Sequence, residues 1–224
     1  MTMKLSEKTV VLLKNFASIN NSIAFKKGST LRTMSVMKNI LAEVEVEEEF
    51  PQDFAIYDLN QFLNGVALCD SPTFEFPNES NLTIREGKDR KTKYFFADPS
   101  VIVSPPEKSI ALPTEDVCFN LNSDQLQSLL KASAVYQLPD LVAVGEAGVV
   151  KLVVRDKKND TSNEYSINVG MSDQEFNFNF KVENIKILPG TYEVVISQKL
   201  LARFVNTNYN LTYFIALEPD STFG

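Results

Sequence analysis

Carboxylates are the densest group of reactive side chains in the sequence, and positions 43–49 read EVEVEEE. Paired carboxylates can bind a cation or transfer protons. The alternation predicts a β-strand with Glu43, Glu45 and Glu47 on one side, where successive side chains stand about 7 Å apart. That spacing is too wide for one cation without ligands from other segments. We interpret the run as the solvent-exposed face of a sheet.

Histidine is absent, and only two cysteines occur, Cys69 and Cys118. Histidine is the usual proton carrier near neutral pH and a frequent zinc ligand, and the two cysteines have no C-x-x-C spacing. The segment 145–148, GEAG, lacks the lysine and the length of a phosphate-binding loop and predicts a hairpin turn. We therefore expect reduced thiols, no metal, no cofactor and no catalytic residues.

The charge balance argues against a protein that binds DNA through affinity for phosphates, because 22 Lys+Arg and 29 Asp+Glu give a net charge of −7. The composition, 44% hydrophobic and 23% charged, is typical of a globular chain. Residues 1–8 lack the apolar core of a signal peptide, and no stretch approaches the roughly 18 apolar residues of a membrane span. These features predict a cytoplasmic protein, in a host cell if it is viral, with no membrane partner.

Proline marks the middle of the chain, since Asp98–Asp116 holds four of the ten prolines. Proline fixes φ and lacks an N–H, so this stretch predicts an extended connector. The chain then divides into an N-terminal domain (residues 1–100), a linker (residues 101–116) and a C-terminal domain (residues 117–224). The linker's Val101-Ile102-Val103 is unusual for a solvated connector and is expected to cover or bind another surface.

The two halves resemble each other in the order of their elements. One helix is predicted to begin at Ser6 and another after Asn122, each with apolar residues on one side. In each half an alternating strand leads to a second short helix, in the stretches 54–63 and 178–187. Alternating residues elsewhere predict sheets with one covered and one solvent-exposed face. We predict an α+β fold in which a domain of antiparallel sheets and two short helices occurs twice.

Four segments, in order, resemble the DNA polymerase sliding clamps, most closely the two-domain clamps of tailed bacteriophages. They are MKLSEKTVVLLKNFASIN (residues 3–20), FAIYDLNQFL (54–63), FFADPS (95–100) and YFIALEPDST (213–222). The resemblance spans both halves and extends to proliferating cell nuclear antigen and the bacterial beta clamp. It implies a ring of six domains, hence a homotrimer, with sheets outside and helices lining the hole.

The resemblance also implies function and partners. Such a ring encircles duplex DNA without reading its sequence and tethers the replicative DNA polymerase, raising its effective concentration at the primer end. An ATP-driven clamp loader opens the ring, and late-transcription factors use it. Encirclement removes the difficulty of the negative charge, because residence on DNA no longer depends on phosphate contacts. The excess carboxylates are then expected on the outer wall and a few lysines on the helices.

Three surfaces can be carried over from the family to this chain. The residues expected to face DNA are Lys4, Lys8, Lys14, Lys131 and Lys186. The residues expected to form an apolar partner-binding pocket between the domains are Met34, Leu41, Ile102, Val103, Ile110, Leu112, Ile215, Leu217 and Pro219. The residues expected at the subunit interface, on edge strands that pair between copies, are Tyr94, Phe96, Tyr165 and Ile167.

Two other hypotheses are considered. A duplicated β-rich structural or adhesive virion module fits the predicted sheets and the lack of catalytic residues. An enzyme that uses only Asp, Glu and Lys finds no constellation of residues to support it. Assembly size and retention on circular rather than linear DNA distinguish the virion module from a clamp.

Overall fold

The computed structural model describes residues 2–224, which form two compact units. The first unit ends at Glu107 and the second comprises Lys108–Gly224. The division therefore lies inside the proline-rich segment 101–116. Across residues 2–224, no helix is long and apolar enough to span a bilayer.

Within residues 2–107 the chain forms two helices and eight strands. The helices are α1 (Glu7–Ile19) and α2 (Leu59–Val66). The strands are β1 (Thr2–Met3), β2 (Ile23–Phe25), β3 (Gly28–Met34), β4 (Ile40–Phe50), β5 (Phe54–Ile56), β6 (Thr73–Glu75), β7 (Asn81–Glu86) and β8 (Arg90–Phe95). Four of them form an antiparallel sheet in the order β1-β6-β7-β8, while β2 pairs with β5 and β3 with β4.

Apolar periodicity explains why these segments adopt their structures. Helix α1 buries Leu12, Leu13 and Phe16 completely, at the spacing of one helical face. Strand β4 buries Val44 and Phe50 on one side and exposes glutamates on the other. Each element thus covers one face of the same core.

Stacked aromatic rings fill part of the core of the first unit. Phe25 and Phe54 lie face to face with ring centroids 4.4 Å apart, and Phe96 stacks on Phe54 at 4.8 Å. These contacts join β2, β5 and the segment that follows β8. The first unit therefore closes its sheets over aromatic side chains.

The second unit contains one helix, α3 (Ser123–Tyr136), and nine strands. The strands are β9 (Val117–Leu121), β10 (Asp140–Glu146), β11 (Val149–Arg155), β12 (Tyr165–Met171), β13 (Phe176–Lys181), β14 (Tyr192–Ser197), β15 (Leu201–Asn206), β16 (Leu211–Ala216) and β17 (Thr222–Phe223). One antiparallel sheet has the order β12-β11-β10-β13-β17. The other strands of the unit are hydrogen-bonded neighbours in the order β16-β15-β14-β9.

A glycine makes room for the aromatic core of the second unit. Gly145 on β10 lies directly opposite Phe176 on β13, and a Cβ atom at position 145 would stand 2.3 Å from the Phe176 ring. Phe223 of β17 stacks on Phe178 with centroids 5.9 Å apart. The final strand therefore belongs to the core packing of this unit.

The second short helix predicted for the stretch 178–187 is wrong. The chain there makes a single 3-10 turn, Val182–Asn184, and then runs on with Ile185 and Ile187 buried. Pro189 follows closely, and a residue before proline disfavours helical dihedrals. Helix α2 has room to form because the next proline after its Asp58 cap is Pro72. The first unit therefore has two α-helices and the second unit has one.

Candidate functional surfaces

The helices present three of the predicted DNA-facing lysines to solvent. Lys8 and Lys14 are exposed on α1, and Lys131 is exposed on α3. The three helices carry two carboxylates besides these lysines, on Glu7 and Asp124. Acidic residues therefore do not outnumber the lysines on the helices, and the DNA-facing role of these lysines stays a prediction.

The other two predicted lysines lie outside the helices. Lys4, between β1 and α1, is exposed, and its Nζ donates to Ser71 Oγ over 3.4 Å. Lys186 is exposed in the segment after the 3-10 turn. Their placement depends on loops rather than on a helical face.

One residue of the acidic run is not on a solvent-exposed face. Glu45, Glu47 and Glu49 are exposed as predicted, but Glu48 is only 9% exposed. It shares the inward face of β4 with the valines, and its two carboxylate oxygens accept hydrogen bonds from Ser6 N (2.5 Å) and Thr9 Oγ1 (2.6 Å). The sequence pattern missed this role because both partners lie on a distant segment.

The hydrogen bonds at Glu48 determine its protonation. Burial of the carboxyl group opposes ionisation, but the bonds from Ser6 and Thr9 outweigh burial and hold the pKa of Glu48 below its ordinary value. The ionised carboxylate lies at the N-terminus of α1, where the helix dipole also favours negative charge. Glu48 therefore fixes the start of the helix that carries Lys8 and Lys14.

The first part of the linker is attached to the first unit. Ile102 is 7% exposed, so its side chain covers the core, whereas Val101 is exposed. Asn20 Nδ2, at the end of α1, donates to Val103 O over 3.3 Å. Arg32 Nη1 donates to Pro106 O over 2.6 Å. Of the linker's aliphatic side chains, Ile102 packs against the core and Val101 is exposed to solvent.

Asn20 and Arg32 were missed by sequence reasoning. Asn20 also donates to Met34 O over 2.9 Å, so one amide connects α1, β3 and the linker. Arg32 Nε lies 2.7 Å from the carboxylate of Glu43 on the facing strand. Alternation in the β3–β4 hairpin could have suggested the ion pair between Arg32 and Glu43. The neighbouring residues in the sequence do not indicate the hydrogen bond from Arg32 to the linker.

The other predicted pocket residues of the first unit differ in exposure. Met34 is half-buried at the end of β3, and Leu41, directly opposite it on β4, is 4% exposed. The turn between these strands places Val36 and Met37 in solvent, 65% and 81% exposed. These two apolar side chains were absent from the predicted site.

The predicted pocket residues of the second unit fall into two groups. Ile110 and Leu112 are half-buried and Pro219 is exposed, so a partner can reach them. Ile215 is fully buried and Leu217 is 6% exposed. The last two side chains belong to the core of the unit: Ile215 lies on β16, and Leu217 directly follows the strand.

The two predicted interface segments include the terminal strands of their sheets. Strand β8 ends the sheet β1-β6-β7-β8, and β12 ends the sheet β12-β11-β10-β13-β17. The half-buried Tyr94 meets the Phe62 ring edge-on at 5.1 Å. Phe96 lies just beyond β8, where it is half-buried against Phe54. Phe96 therefore has a packing role in the core, whatever else it contacts.

On β12 the predicted interface residues point toward the core side of the sheet. Tyr165 lies opposite Val154 and Ile167 opposite Leu152, and both are half-buried. The backbone edge of β12 is left without a strand partner in the described chain. An unpaired edge of this length is a template for another strand.

The shifted pKa values accompany structural contacts. Burial raises the pKa of Tyr192 to about 12, and its hydroxyl donates to Leu188 O. A hydrogen bond to the buried carboxylate of Asp140 raises the pKa of Lys181. In residues 2–224 no group of three or more His, Cys, Asp or Glu side chains is placed to hold a metal ion.

Each of the two units matches the model of a known protein family. Residues 4–104 match the family described as "DNA polymerase processivity factor". Residues 118–219 match the family described as "gp45 sliding clamp, C terminal". The two matches leave residues 105–117 between them, which include most of the linker.

Whole-length relatives and a solved structure agree with these matches. The sliding clamps of Vibrio phage KVP40 and Escherichia phage RB69 are each 34% identical to this chain, over 223 and 230 residues. The alignments cover 96% and 98% of this chain and 99% of each relative. The Archaeoglobus fulgidus proliferating cell nuclear antigen, solved with the C-terminal region of FEN-1, superposes with a TM-score of 0.71 at 12% identity and covers 99% of both chains.

Proposed function

Because this chain belongs to the sliding-clamp family of DNA polymerase processivity factors, we propose that it encircles duplex DNA as a homotrimeric ring and tethers the replicative DNA polymerase. The observation that carries the proposal is similarity to phage sliding clamps over nearly the whole of both chains. A virion module is not favoured by any of these relatives. The family acts as a scaffold, and the polymerase performs the chemistry.

Topology supplies the residence time on DNA in this proposal. A chain with a net charge of −7 gains little from phosphate contacts. A closed ring stays on DNA without them, and the exposed Lys8, Lys14 and Lys131 supply weak contacts that permit sliding. Lys4 and Lys186 extend the same set. A polymerase bound to the ring then rebinds the primer end at high effective concentration.

The partner-binding role is proposed for the accessible members of the apolar set. Met34, Val103, Ile110, Leu112 and Pro219 are half-buried or exposed, so partner side chains can contact them. A. fulgidus proliferating cell nuclear antigen, which has a similar fold, was solved with the C-terminal region of FEN-1 bound. We propose that the polymerase, an ATP-driven clamp loader and late-transcription factors dock here in turn. Leu41, Ile102, Ile215 and Leu217 are buried, so we do not assign them direct contacts with a partner.

Mass and topology test the ring. Light scattering is expected to give about 75 kDa, three times the chain mass of 25.1 kDa. Once loaded, the protein is expected to remain on circular DNA and to slide off linear DNA. A stable monomer that is indifferent to DNA ends would contradict the proposal.

Leu112→Ala tests the partner surface. The substitution is expected to reduce processive synthesis and leave the mass of the assembly unchanged, because a half-buried side chain can contribute to docking without holding the core. Leu68→Ala, at a leucine that is 73% exposed after α2, is the matched control. Equal processivity of the Leu112 variant and the control would place the docking surface elsewhere.

A further inference from the structure

The chain after β16 makes a β-turn at residues 218–221, with Pro219 at its exposed tip. Ser221 N donates to Glu218 O over 3.1 Å, which closes the turn, and Ser221 Oγ donates to the same carbonyl oxygen over 2.8 Å. Proline is favoured at the second position of such a turn because its ring fixes φ. The turn therefore presents an apolar ring to solvent in a restricted conformation.

Asn179 on β13 holds both ends of this turn. Its backbone oxygen accepts from Glu218 N over 2.8 Å, and its backbone N–H donates to Ser221 Oγ over 2.9 Å. Its side-chain Nδ2 donates to Asp220 O and to Asp220 Oδ1, each over 3.3 Å. Asparagine is depleted from β-strands, and this one is only 5% exposed. Its contacts with the turn explain a buried amide at this position.

Lys157 holds the turn from a second side. Its Nζ lies 2.7 Å from the Asp220 carboxylate, and its side chain is 17% exposed. Its backbone N–H donates over 3.1 Å to the carboxylate of Asp140, which is 1% exposed and lies on β10. The backbone of Lys157 is therefore fixed on the sheet, and its side chain connects the sheet to the turn.

The segments on either side of the turn are fixed as well. Before the turn, Leu217 N donates to Leu200 O over 3.0 Å. After the turn, β17 pairs with β13, where Phe223 lies opposite Phe176 and stacks on it with ring centroids 6.4 Å apart. What remains to be ordered between these anchors is the turn itself.

We propose that Asn179 and Lys157 are positioning residues for partner docking, because they hold the 218–221 turn in the conformation in which Pro219 contacts the polymerase. The inference rests on the proposed function and adds which side chains shape one part of the partner surface. A segment that is ordered before binding loses less conformational entropy when a partner docks. Loosening the turn should therefore weaken binding, even though the buried Asn179 does not touch the partner.

Asn179→Ala tests the larger of the two contributions. The substitution removes the side-chain bonds to Asp220, so the dissociation constant for the replicative polymerase of the same phage, measured by titration calorimetry, should rise about fivefold. The mass of the assembly and its retention on circular DNA should not change. The matched control is Asn177→Ala, two residues earlier on β13, where the half-buried amide accepts from Arg155 Nη2 instead of holding the turn.

Lys157→Met is the second test, and it avoids any change in the core because this side chain lies at the surface. The dissociation constant should rise about threefold, and Lys157→Arg should restore it, because a guanidinium group can also pair with Asp220. Lys158→Met makes the same change in net charge at the adjacent, exposed lysine. If the cation only attracted the polymerase over a distance, the two methionine variants would bind equally weakly.

A double-mutant cycle shows whether Asn179 acts through Pro219. Pro219→Ala removes the ring that is expected to contact the polymerase and should itself weaken binding. If Asn179 acts by positioning that ring, adding Asn179→Ala to Pro219→Ala should cause little further loss of affinity. Two independent roles would instead multiply the two losses.

Several results would overturn the positioning role. They are multiplied losses in the cycle, unchanged affinity of Pro219→Ala, and equal affinities of Asn179→Ala and Asn177→Ala. If Asn179→Ala does not fold, equal affinities of the methionine variants at 157 and 158 overturn it. When the wild type binds the polymerase and remains on circular DNA, the proposed function stands without the positioning role. A wild type that neither assembles nor binds the polymerase refutes both proposals.

Discussion

Helices α1 and α3 are the first helices of the two units, yet their N-termini are held by different kinds of contact. At α3, Asn122 Oδ1 accepts from Gln125 N over 2.9 Å, and Asn122 N donates to Gln125 Oε1 over 3.0 Å. At α1, Ser6 Oγ accepts from Thr9 N over 3.2 Å, but Ser6 N donates to Glu48. Glu48 of β4 thus accepts the backbone hydrogen bond that, at α3, is accepted by Gln125 of the helix itself.

The difference teaches how the two helices depend on the rest of the chain. Both residues of the α3 capping box lie within one turn, so the start of this helix is stabilised as soon as that turn forms. In α1 the residue that corresponds to Gln125 is Thr9, whose side chain does not accept a bond from Ser6 N. The acceptor of Ser6 N is instead Glu48 on β4, 42 residues away in sequence. Helix α1 is therefore coupled to the sheet, and α3 is self-sufficient at its start.

Glu48→Ala is expected to have the largest effect on this comparison. The substitution removes the acceptor of Ser6 N and Thr9 Oγ1 and leaves a cavity, so the free energy of unfolding should fall by about 3 kcal/mol. Urea denaturation of the full chain measures the loss. Glu47→Ala, at the exposed neighbour, should change stability by less than about 0.5 kcal/mol. Equal effects at the two positions would show that α1 does not depend on β4.

Acid is expected to reproduce part of that loss. The folded-state pKa of Glu48 is below its ordinary value of about 4.3, so its contribution is complete above that value and is lost as pH falls through the folded pKa. The stability difference between wild type and Glu48→Gln should therefore be constant near neutral pH and shrink below about pH 4. A difference that grows on acidification would show that the carboxylate is not stabilised by ionisation.

Asn122→Ala is expected to have the smallest effect, about 1 kcal/mol, which is typical for loss of an N-cap. The exposed N-terminus of α3 can replace the lost bonds with water. Asn120→Ala, at an exposed position on β9, serves as the control in the same denaturation experiment. A loss at Asn122 as large as that at Glu48 would mean that local and long-range caps contribute equally, and the contrast between the units would disappear.

Much of the architecture was accessible from the sequence. The Ser6 and Asn122 caps, the alternation of β4 and the proline-rich division near residue 107 all depend on neighbouring residues. The helix predicted in the stretch 178–187 is wrong: the chain makes only a 3-10 turn there, and Pro189 disfavours helical dihedrals in the residue before it. Local propensity was sufficient where the segment had room to form its own hydrogen bonds.

The functional surfaces were accessible only in part. Exposure of Lys8, Lys14 and Lys131 follows from helical periodicity, and the comparisons with phage clamps support the family to which the sequence segments pointed. Burial of Ile215 and Leu217 was not anticipated, because an apolar residue on a strand can face either a core or a partner. The pattern alone does not distinguish those two environments.

The sequence by itself determined the duplicated α+β domains, the starts of α1 and α3 and the family, since these depend on short-range periodicity and on ordered segments. Only the tertiary structure decided that Glu48 holds the start of α1 and that Asn20 holds the linker at Val103, 83 residues away. The physical reason is that a buried hydrogen-bonding group takes its partner from whichever segment the folded chain brings within about 3 Å, and chain closure over tens of residues leaves no local pattern.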